Sequence, residues 1–168
     1  MRILPRVLAA LLVVVGAGCR APLTSTVILV RHAERPPGTD PDLNELGYAR
    51  AESLAVALAR TTVDGIVHTQ FKRTQQTAAP LAKAKSLTPV VVSAGGTEAQ
   101  HAQAVLAALS RFSGRTAVYV GHSNTVPAVI QALGITPAPA IADTSYSHFF
   151  IVRKRGNAAE LVRVRYGR

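Results

Sequence analysis

The sequence has no tryptophan, one cysteine and one methionine, and aromatic residues make up only 5% of its 168 residues. A single cysteine excludes an internal disulfide framework. So few aromatic side chains argue against a surface that stacks nucleic-acid bases. Acidic residues are also scarce, with nine Asp and Glu against 19 Lys and Arg. The interior must therefore consist mainly of small and branched aliphatic residues, which are typical of a parallel sheet covered by helices.

No hydrophobic run is long enough to span a bilayer, which takes about 20 apolar residues. The apolar run at 7–15 follows two arginines and leads through small residues to Cys19, a pattern that resembles a bacterial lipoprotein signal. We interpret residues 1–18 as a signal peptide, Cys19 as a lipidated mature N-terminus and 19–25 as a tether. Simple secretion after cleavage nearby is the alternative. Either way we expect an exported protein of the cell envelope, and the lipid on Cys19 would anchor it to a membrane.

Residues 26–168 alternate between short β-branched runs and longer segments with helical periodicity. Strands that alternate with helices are typical of an α/β fold with a parallel sheet. We therefore expect one domain, an α/β three-layer sandwich with a mainly parallel central sheet flanked by helices. The predicted strands cover 27–30, 65–68, 90–92, 117–120, 149–152 and 161–164, and the last two are expected to form a hairpin.

Several residues predict how the helices begin, continue and pack. Asn44 is a suitable N-cap for a helix over 44–60, and Thr97 begins a sequence that fits a capping box. Pro80 is expected to bend or shorten the helix that follows the second strand. The leucines around the first helix are spaced to share one buried face, and they are Leu43, Leu46, Leu54 and Leu58.

Three of the predicted strands lead to a basic or imidazole side chain. Arg31 and His32 follow the first strand, Arg73 follows the second near a helix start, and His122 follows the fourth. Sites in open α/β sheets form at the carboxyl ends of strands, and helix N-termini favour anions. Arginine keeps its charge and presents a rigid fork of donors, whereas histidine can act as a nucleophile. The sequence therefore predicts a phosphate site with a built-in nucleophile.

The segments around these residues resemble the motifs of the histidine phosphatase superfamily, which has the phosphoglycerate mutase-like fold. They read RHAE at 31–34, RTQQTA at 73–78 and GHSN at 121–124, in the order of the family. The chain is similar in size to the short bacterial phosphohistidine phosphatases. This resemblance implies that His32 becomes phosphorylated, and it implies no cofactor. By the same resemblance, the phosphate pocket is completed by Arg31, Arg73 and His122.

The motifs leave the general acid open. Glu98 and His101 follow the third strand, near where the family often supplies the acid, and Glu34 is close in sequence to His32. Each also has a structural explanation: Glu98 can interact with a helix dipole, His101 can be merely exposed, and Glu34 can orient Arg31 or its loop. Arg35 belongs to a loop rich in proline, where we expect it to stay in water.

The resemblance implies an enzyme that hydrolyses phosphomonoesters or phosphoramidates, in a small molecule or a phosphoprotein, through a phosphohistidine on His32 and without a metal. The sequence has no HExxH pattern and no Cys/His cluster, which are the usual signs of zinc. Three alternatives remain open: a phosphoglycerate-type mutase, a non-catalytic module that binds phosphate or phosphoproteins, and a basic envelope or nucleic-acid-binding protein that acts through charge alone. Because no nucleic-acid motif is present, we expect no specific nucleic-acid partner.

Overall fold

The computed structural model of the chain describes residues 23–167. The expected signal peptide at 1–18 and Cys19 lie outside the described residues. The first strand already begins at Thr24, inside the expected tether at 19–25, because Thr24 pairs with Arg155 of a neighbouring strand. No helix in the described part of the chain is long and apolar enough to cross a membrane.

A single six-stranded sheet forms the middle layer, in the order β3-β2-β4-β1-β5-β6. The first four strands run parallel, whereas β5 and β6 are antiparallel and form a hairpin at one edge. This confirms the α/β fold with a mainly parallel sheet. The strands are β1 (Thr24–Arg31), β2 (Gly65–Thr69), β3 (Val90–Val92), β4 (Thr116–Gly121), β5 (His148–Arg155) and β6 (Ala158–Arg165).

Two pairs of helices cover the two faces of this sheet. Alternate residues of β1 show the division, since Ile28 packs with α1 and α2 while Leu29 packs with α3 and α4. A 3₁₀ turn, Ser110–Phe112, follows α3. The helices are α1 (Glu45–Ala57), α2 (Lys72–Lys85), α3 (Glu98–Leu109) and α4 (Thr125–Ala132).

Both predicted helix caps are confirmed, but one leucine expected on the buried face is exposed, and Pro80 does not shorten its helix. The Asn44 side chain accepts from the Gly47 N–H, and Thr97 heads a complete capping box. Leu46 is 69% exposed rather than buried. It lies about 80° around the helix from Leu54, outside the apolar face. The helix α2 continues through Pro80. Proline there removes only one backbone hydrogen bond, and the buried face of α2 packs against α1 on both sides of it.

The hairpin is longer than the apolar runs that predicted it. The runs at 149–152 and 161–164 cover only the middle of each strand, whereas backbone pairing continues to Arg155 and Ala158. The added residues are largely basic or small, and most of them are exposed. A search for apolar runs cannot detect them, because strands pair through their backbones whatever their side chains are.

Charge is distributed unevenly between the two ends of the sheet. We call the end where β1 and β4 begin, and where α1 and α2 finish, the basic end. Eight of the 15 Lys and Arg residues in 23–167 lie there, with only two of the nine carboxylates of the chain. The cations of the basic end are Arg60, Lys83, Lys85, Arg111, Arg115, Arg153, Lys154 and Arg155, and its carboxylates are Asp64 and Glu160.

Candidate active site

The carboxyl ends of three neighbouring strands bring the predicted site residues together. The His32 N–H donates to the Gly121 carbonyl at 2.9 Å, which extends the pairing of β1 and β4 by one residue. This places the rings of His32 and His122 edge to face, with their centroids 5.4 Å apart. Both histidines are buried, at 3% and 8% exposure. The topology of the sheet therefore creates the pair from residues 90 positions apart in sequence.

His32 presents an unprotonated nitrogen to the site. Its Nδ1 lies 2.8 Å from the Ala33 carbonyl oxygen. A carbonyl can only accept, so Nδ1 carries the proton and Nε2 carries the lone pair. Burial, aided by the nearby Arg31 and Arg73 guanidinium groups, lowers the pKa of His32 to about 4, although its backbone hydrogen bond opposes the shift. At neutral pH, His32 is therefore a neutral imidazole of defined tautomer, which is the form that can act as a nucleophile.

His122 is oriented by a chain of hydroxyl groups. Its Nε2 lies 2.9 Å from Thr69 Oγ1, and Thr69 Oγ1 lies 2.9 Å from Thr74 Oγ1. Thr74 donates to the backbone carbonyl groups of Thr69 and Phe71, and the Thr69 hydroxyl can either donate to His122 Nε2 or accept from it. In the tautomer in which Thr69 donates to Nε2, the proton of His122 sits on Nδ1, from which a phosphate oxygen can accept a hydrogen bond. Burial and the nearby Arg73 lower the pKa of His122 to about 3.

The glycine before His122 is needed for close packing. A Cβ atom at Gly121 would lie 2.6 Å from the ring and the hydroxyl of Tyr119. The Tyr119 hydroxyl is hydrogen-bonded to Thr125 Oγ1 at 3.1 Å, and Thr125 Oγ1 in turn accepts from the His122 N–H at 2.9 Å. Gly121 therefore leaves room for the tyrosine that anchors the turn carrying His122.

Arg31 is held by the segment that leads into β5. Its Nη1 donates to the Ala142 carbonyl at 2.9 Å, and its guanidinium carbon lies 4.2 Å from the centre of the Tyr146 ring. Its Nη2 is 3.6 Å from the exposed Asp143 carboxylate. Arg31 Nε is buried and has no partner among the described residues. One donor of the fork therefore remains available.

Arg73 is the second residue of α2 and has a matching arrangement. Its guanidinium carbon lies 4.2 Å from the centre of the Phe71 ring, and its Nη1 donates to Asp40 Oδ1 at 3.2 Å. The Phe71 ring also meets the His122 ring edge-on, with centroids 5.3 Å apart. Arg73 Nε, like Arg31 Nε, is buried without a partner in the described chain. An aromatic ring thus supports each arginine while one N–H stays unpaired.

The two histidines and the two arginines described above line one open pocket of about 440 Å³. A buried donor without a partner is costly, whereas hydrogen bonds from charged donors to an anion are strong. The pocket can therefore bind a phosphoryl group, with the two guanidinium Nε–H groups and His122 around it and His32 Nε2 at the phosphorus. Its basic and imidazole lining residues are Arg31, His32, Arg35, Arg73 and His122.

Arg35 does not stay in water as expected. It lines the pocket, and its Nη1 donates to the carbonyl groups of Pro36 and Gly38. The charge of Arg35 also contributes to the lowered pKa of His32. Pairing to its own loop bends the side chain back over the pocket mouth. A sequence cannot show this, because it depends on the turn that the Pro-rich loop adopts.

Two of the three candidate general acids lie away from the pocket. The Glu34 carboxylate receives two hydrogen bonds from Arg50 Nε, at 2.7 and 2.8 Å, and both side chains are largely buried. His101 is buried rather than exposed, with its ring nitrogens bonded to the Ser93 carbonyl and the Tyr119 hydroxyl. Both residues therefore have structural partners.

Glu98, the third candidate, does not line the pocket itself but is bonded to a residue that does. Its carboxylate accepts from Asn124 Nδ2 at 3.0 Å, and Asn124 lines the pocket. Asp143, which lines the pocket at its rim, accepts from Ser123 Oγ at 2.7 Å. Glu98 is exposed at the start of α3.

A larger cavity of about 810 Å³ adjoins the pocket and shares Ser123 and Asn124 with it. It lies between α3, α4 and the segment at 136–141, and Glu98 is the one charged residue among those that line it. Within residues 23–167, no cluster of three or more His, Cys, Asp or Glu side chains could hold a metal ion. Because all but one of its lining residues are uncharged, the cavity is suited to a mainly uncharged organic group.

Several contributors could not be found from the sequence. Thr69, Phe71 and Tyr146 are ordinary residues of a strand end, a helix start and a loop, with no motif to mark them. Only the RTQQTA motif hinted at one neighbour, Thr74, whose hydroxyl belongs to the chain that orients His122. These residues do not define the chemistry, but they hold the arginines and His122 in place.

Comparison with known proteins agrees with this geometry. The family model of the histidine phosphatase superfamily (branch 1) matches residues 27–102, which contain the first two motifs. Phosphoserine phosphatase 1 from Hydrogenobacter thermophilus is 45% identical over 69 residues, which cover 36% of this chain and 33% of that protein. The match thus spans about a third of the length of this curated relative.

Solved structures extend the likeness over most of the chain. The protein histidine phosphatase SixA complexed with tungstate has a TM-score of 0.67 at 15% identity, over 83% of this chain and 96% of that one. A mycobacterial glucosyl-3-phosphoglycerate phosphatase in complex with VO3 has a TM-score of 0.65 at 17% identity, over 82% and 96%. At these identities the likeness concerns the fold. The chain therefore resembles the histidine phosphatase superfamily in sequence over residues 27–102, and it shares the fold of these solved structures over most of its length.

Proposed function

We propose that the protein is a phosphatase that hydrolyses phosphomonoesters or phosphoramidates through a covalent phosphohistidine on His32. One observation carries the proposal: an unprotonated Nε2 on His32 shares a pocket with two arginines whose buried Nε–H groups have no partner in the described chain. The two structural neighbours described above were solved with oxyanions of tungsten and vanadium. Such oxyanions resemble phosphate in shape and charge.

In the first step, His32 Nε2 attacks phosphorus in line with the leaving group. A nitrogen–phosphorus bond forms as the bond from phosphorus to the leaving oxygen or nitrogen breaks, and the electron pair goes to the leaving atom. Arg31, Arg73 and His122 donate to the non-bridging oxygens, whose charge they stabilise. Removing one such preorganised donor typically costs about 10²–10³ in rate.

In the second step, water attacks the phosphorus of the phosphohistidine. An oxygen–phosphorus bond forms, the nitrogen–phosphorus bond breaks, and the electron pair returns to His32 Nε2. Inorganic phosphate leaves and the water releases a proton. The arginines supply positive charge in both steps, so the proposed mechanism requires no metal.

Glu98 is the residue we propose to protonate the leaving group. Its hydrogen bond to Asn124 places it at the junction of the phosphate pocket and the larger cavity. A leaving group that extends from the pocket into this cavity would pass Glu98. A carboxyl group at that point can donate a proton as the bond to phosphorus breaks.

The larger cavity also favours one class of leaving group. Glu98 is its one charged lining residue, and alanine, proline and amide side chains make up most of the rest. The cavity has no basic side chain in its lining, so it offers no partner to a carboxylated leaving group. We therefore propose that the preferred substrates carry an uncharged or cationic organic group next to the phosphate.

The test is a phosphatase assay of the full chain in the presence of a chelator. We expect release of phosphate from p-nitrophenyl phosphate, and its loss in a folded His32→Asn protein. His148→Asn is the control, since His148 is hydrogen-bonded to Ser145 outside the pocket. Vanadate binding without any phosphate release by the native chain would instead show a non-catalytic phosphate-binding module.

A further inference from the structure

Six of the eight cations of the basic end are exposed, two are half-buried, and none forms an ion pair with a carboxylate of residues 23–167. The ion pairs within residues 23–167 involve Arg31, Arg50, Lys72 and Arg73, and all four lie toward the end that holds the pocket. None involves a cation of the basic end. Removing its two carboxylates from its eight cations leaves a formal excess of six positive charges.

Backbone contacts show that these cations lie at one end of the fold. Lys85 Nζ, at the end of α2, donates to the carbonyl groups of Ala59 and Thr61 just after α1, both at 2.8 Å. The Gly114 N–H donates to Ser25 Oγ, which connects the segment carrying Arg111 and Arg115 to the start of β1. Arg155 pairs with Thr24 on the other side of β1. The cations therefore surround the beginning of the first strand.

The chain enters the folded domain at the same place. Leu23 is 70% exposed and lies against Gly114. The 22 residues before it include the apolar run at 7–15 and Cys19. Whatever the N-terminal segment attaches to, the basic end is the part of the folded domain nearest to it. The cations can contact a negatively charged surface, and the exposed Leu23 among them can insert into an apolar layer beneath it.

We propose that the basic end binds an anionic phospholipid surface. Clustered Lys and Arg residues are attracted to the negative charge of such membranes, and each cation near the surface increases the affinity by about fivefold. The pocket is at the opposite end of β1, an eight-residue strand, so it stands about 25 Å away at ~3.3 Å per residue. The bound protein therefore presents its pocket to the aqueous phase, and its substrates are water-soluble.

The test is cosedimentation of the full chain with vesicles, with Cys19→Ser in every sample so that no lipid can be attached. Two kinds of vesicle are compared. One is phosphatidylcholine with about 30% of the anionic lipid phosphatidylglycerol, and the other is phosphatidylcholine alone. We expect binding to the anionic vesicles only, with an affinity that falls as salt shortens the screening length. Arg111→Glu with Arg115→Glu is expected to reduce this affinity by about 25-fold or more.

The matched control is Arg163→Glu with Arg165→Glu, which changes the net charge equally but lies on β6 away from the basic end. We expect the control to lose no more than about threefold, because its charges face solvent beyond a screening length from the membrane. Equal losses in the two pairs, or equal binding to both kinds of vesicle, would overturn the proposal. So would tighter binding to duplex DNA than to anionic vesicles, abolished by the same two substitutions at Arg111 and Arg115.

Discussion

At the scale of single residues, the site depends on keeping two histidines neutral among arginines. His32 and His122 are buried, and both have pKa values far below the usual 6.5. A charged imidazole there would repel Arg31 and Arg73 and could not attack phosphorus. The same burial that costs stability in acid thus keeps His32 in the neutral form that the proposed nucleophile requires.

The stability of the fold should therefore depend on pH. In the unfolded chain both histidines take up a proton below about pH 6.5, whereas in the folded chain they do so only near pH 4 and 3. The unfolded state binds more protons in between, so the free energy of unfolding decreases as the pH falls from 6.5 towards 4. We expect urea denaturation of His122→Gln to show a smaller decrease over this range than the native chain. If the free energy of unfolding fell equally with pH in His122→Gln and in the native chain, His122 would have an ordinary pKa in the folded state.

Two of the three arginines that line the pocket, Arg73 and Arg35, should differ in importance. Arg73 is largely buried on Phe71 with an unpartnered Nε, whereas Arg35 is bound to carbonyl groups of its own loop. Losing a charge-assisted partner of a bound anion costs about 1.5–3 kcal/mol. We expect Arg73→Ala to weaken inhibition by vanadate by one to two decades, and Arg35→Ala to weaken it much less. Inhibition constants in one buffer decide this, and equal small effects would remove Arg73 from the phosphate site.

At the scale of elements, α1 packs closely against the loop after β1 and fixes the segment that follows His32. A Cβ atom at Gly47 would overlap the Glu34 carbonyl group, which also accepts from the Asn44 N–H. Glu34 itself is fixed by Arg50 on the same helix. The helix thus holds the segment that follows His32 in one conformation.

Replacing this glycine should be costly. Gly47→Ala forces the helix away from the loop, and overpacking of this kind typically costs about 1–3 kcal/mol. Leu46→Ala is the matched control in the same turn, because Leu46 is exposed and should change stability by at most about 0.5 kcal/mol. The free energies of unfolding in urea test both. A Gly47→Ala protein as stable as the control would show that the helix can shift freely.

The elements also show what a sequence can predict. The strand ends with Arg31, His32 and His122, and the helix start with Arg73, were predictable because apolar runs mark strands and motifs mark their ends. The supporting residues Thr69 and Tyr146 were not, because their role depends on which segments the sheet order brings together. Leu46 was misplaced for a similar reason: its spacing fits a helical face, but the direction of that face is fixed by packing.

At the scale of the whole molecule, the two ends of the sheet have different roles. One end carries the pocket together with the four ion pairs found within residues 23–167, and the other carries the excess positive charge and the start of the first strand. Such a division allows the protein to stay attached at one end while it binds substrates at the other.

We propose that the attachment includes a lipid on Cys19, which lies outside the described residues. The short apolar run and the small residues before Cys19 support this proposal. In a bacterial host, we expect the protein to partition with membranes and its N-terminal peptide to carry an acylated Cys19. Intact mass and peptide mass spectrometry are the measurements, with Cys19→Ser as control. An unmodified Cys19, or a mature chain that begins after it, would contradict the anchor.

The phosphohistidine is the central claim, and trapping it is the most direct test. The full chain is mixed with p-nitrophenyl phosphate, quenched in alkali within milliseconds of the start of turnover, and mapped by mass spectrometry. We predict a phosphoryl group on the peptide that contains His32, stable in alkali and lost in acid, and absent from His32→Asn. Turnover with an unmodified His32 peptide, or phosphate on another residue, would contradict the account.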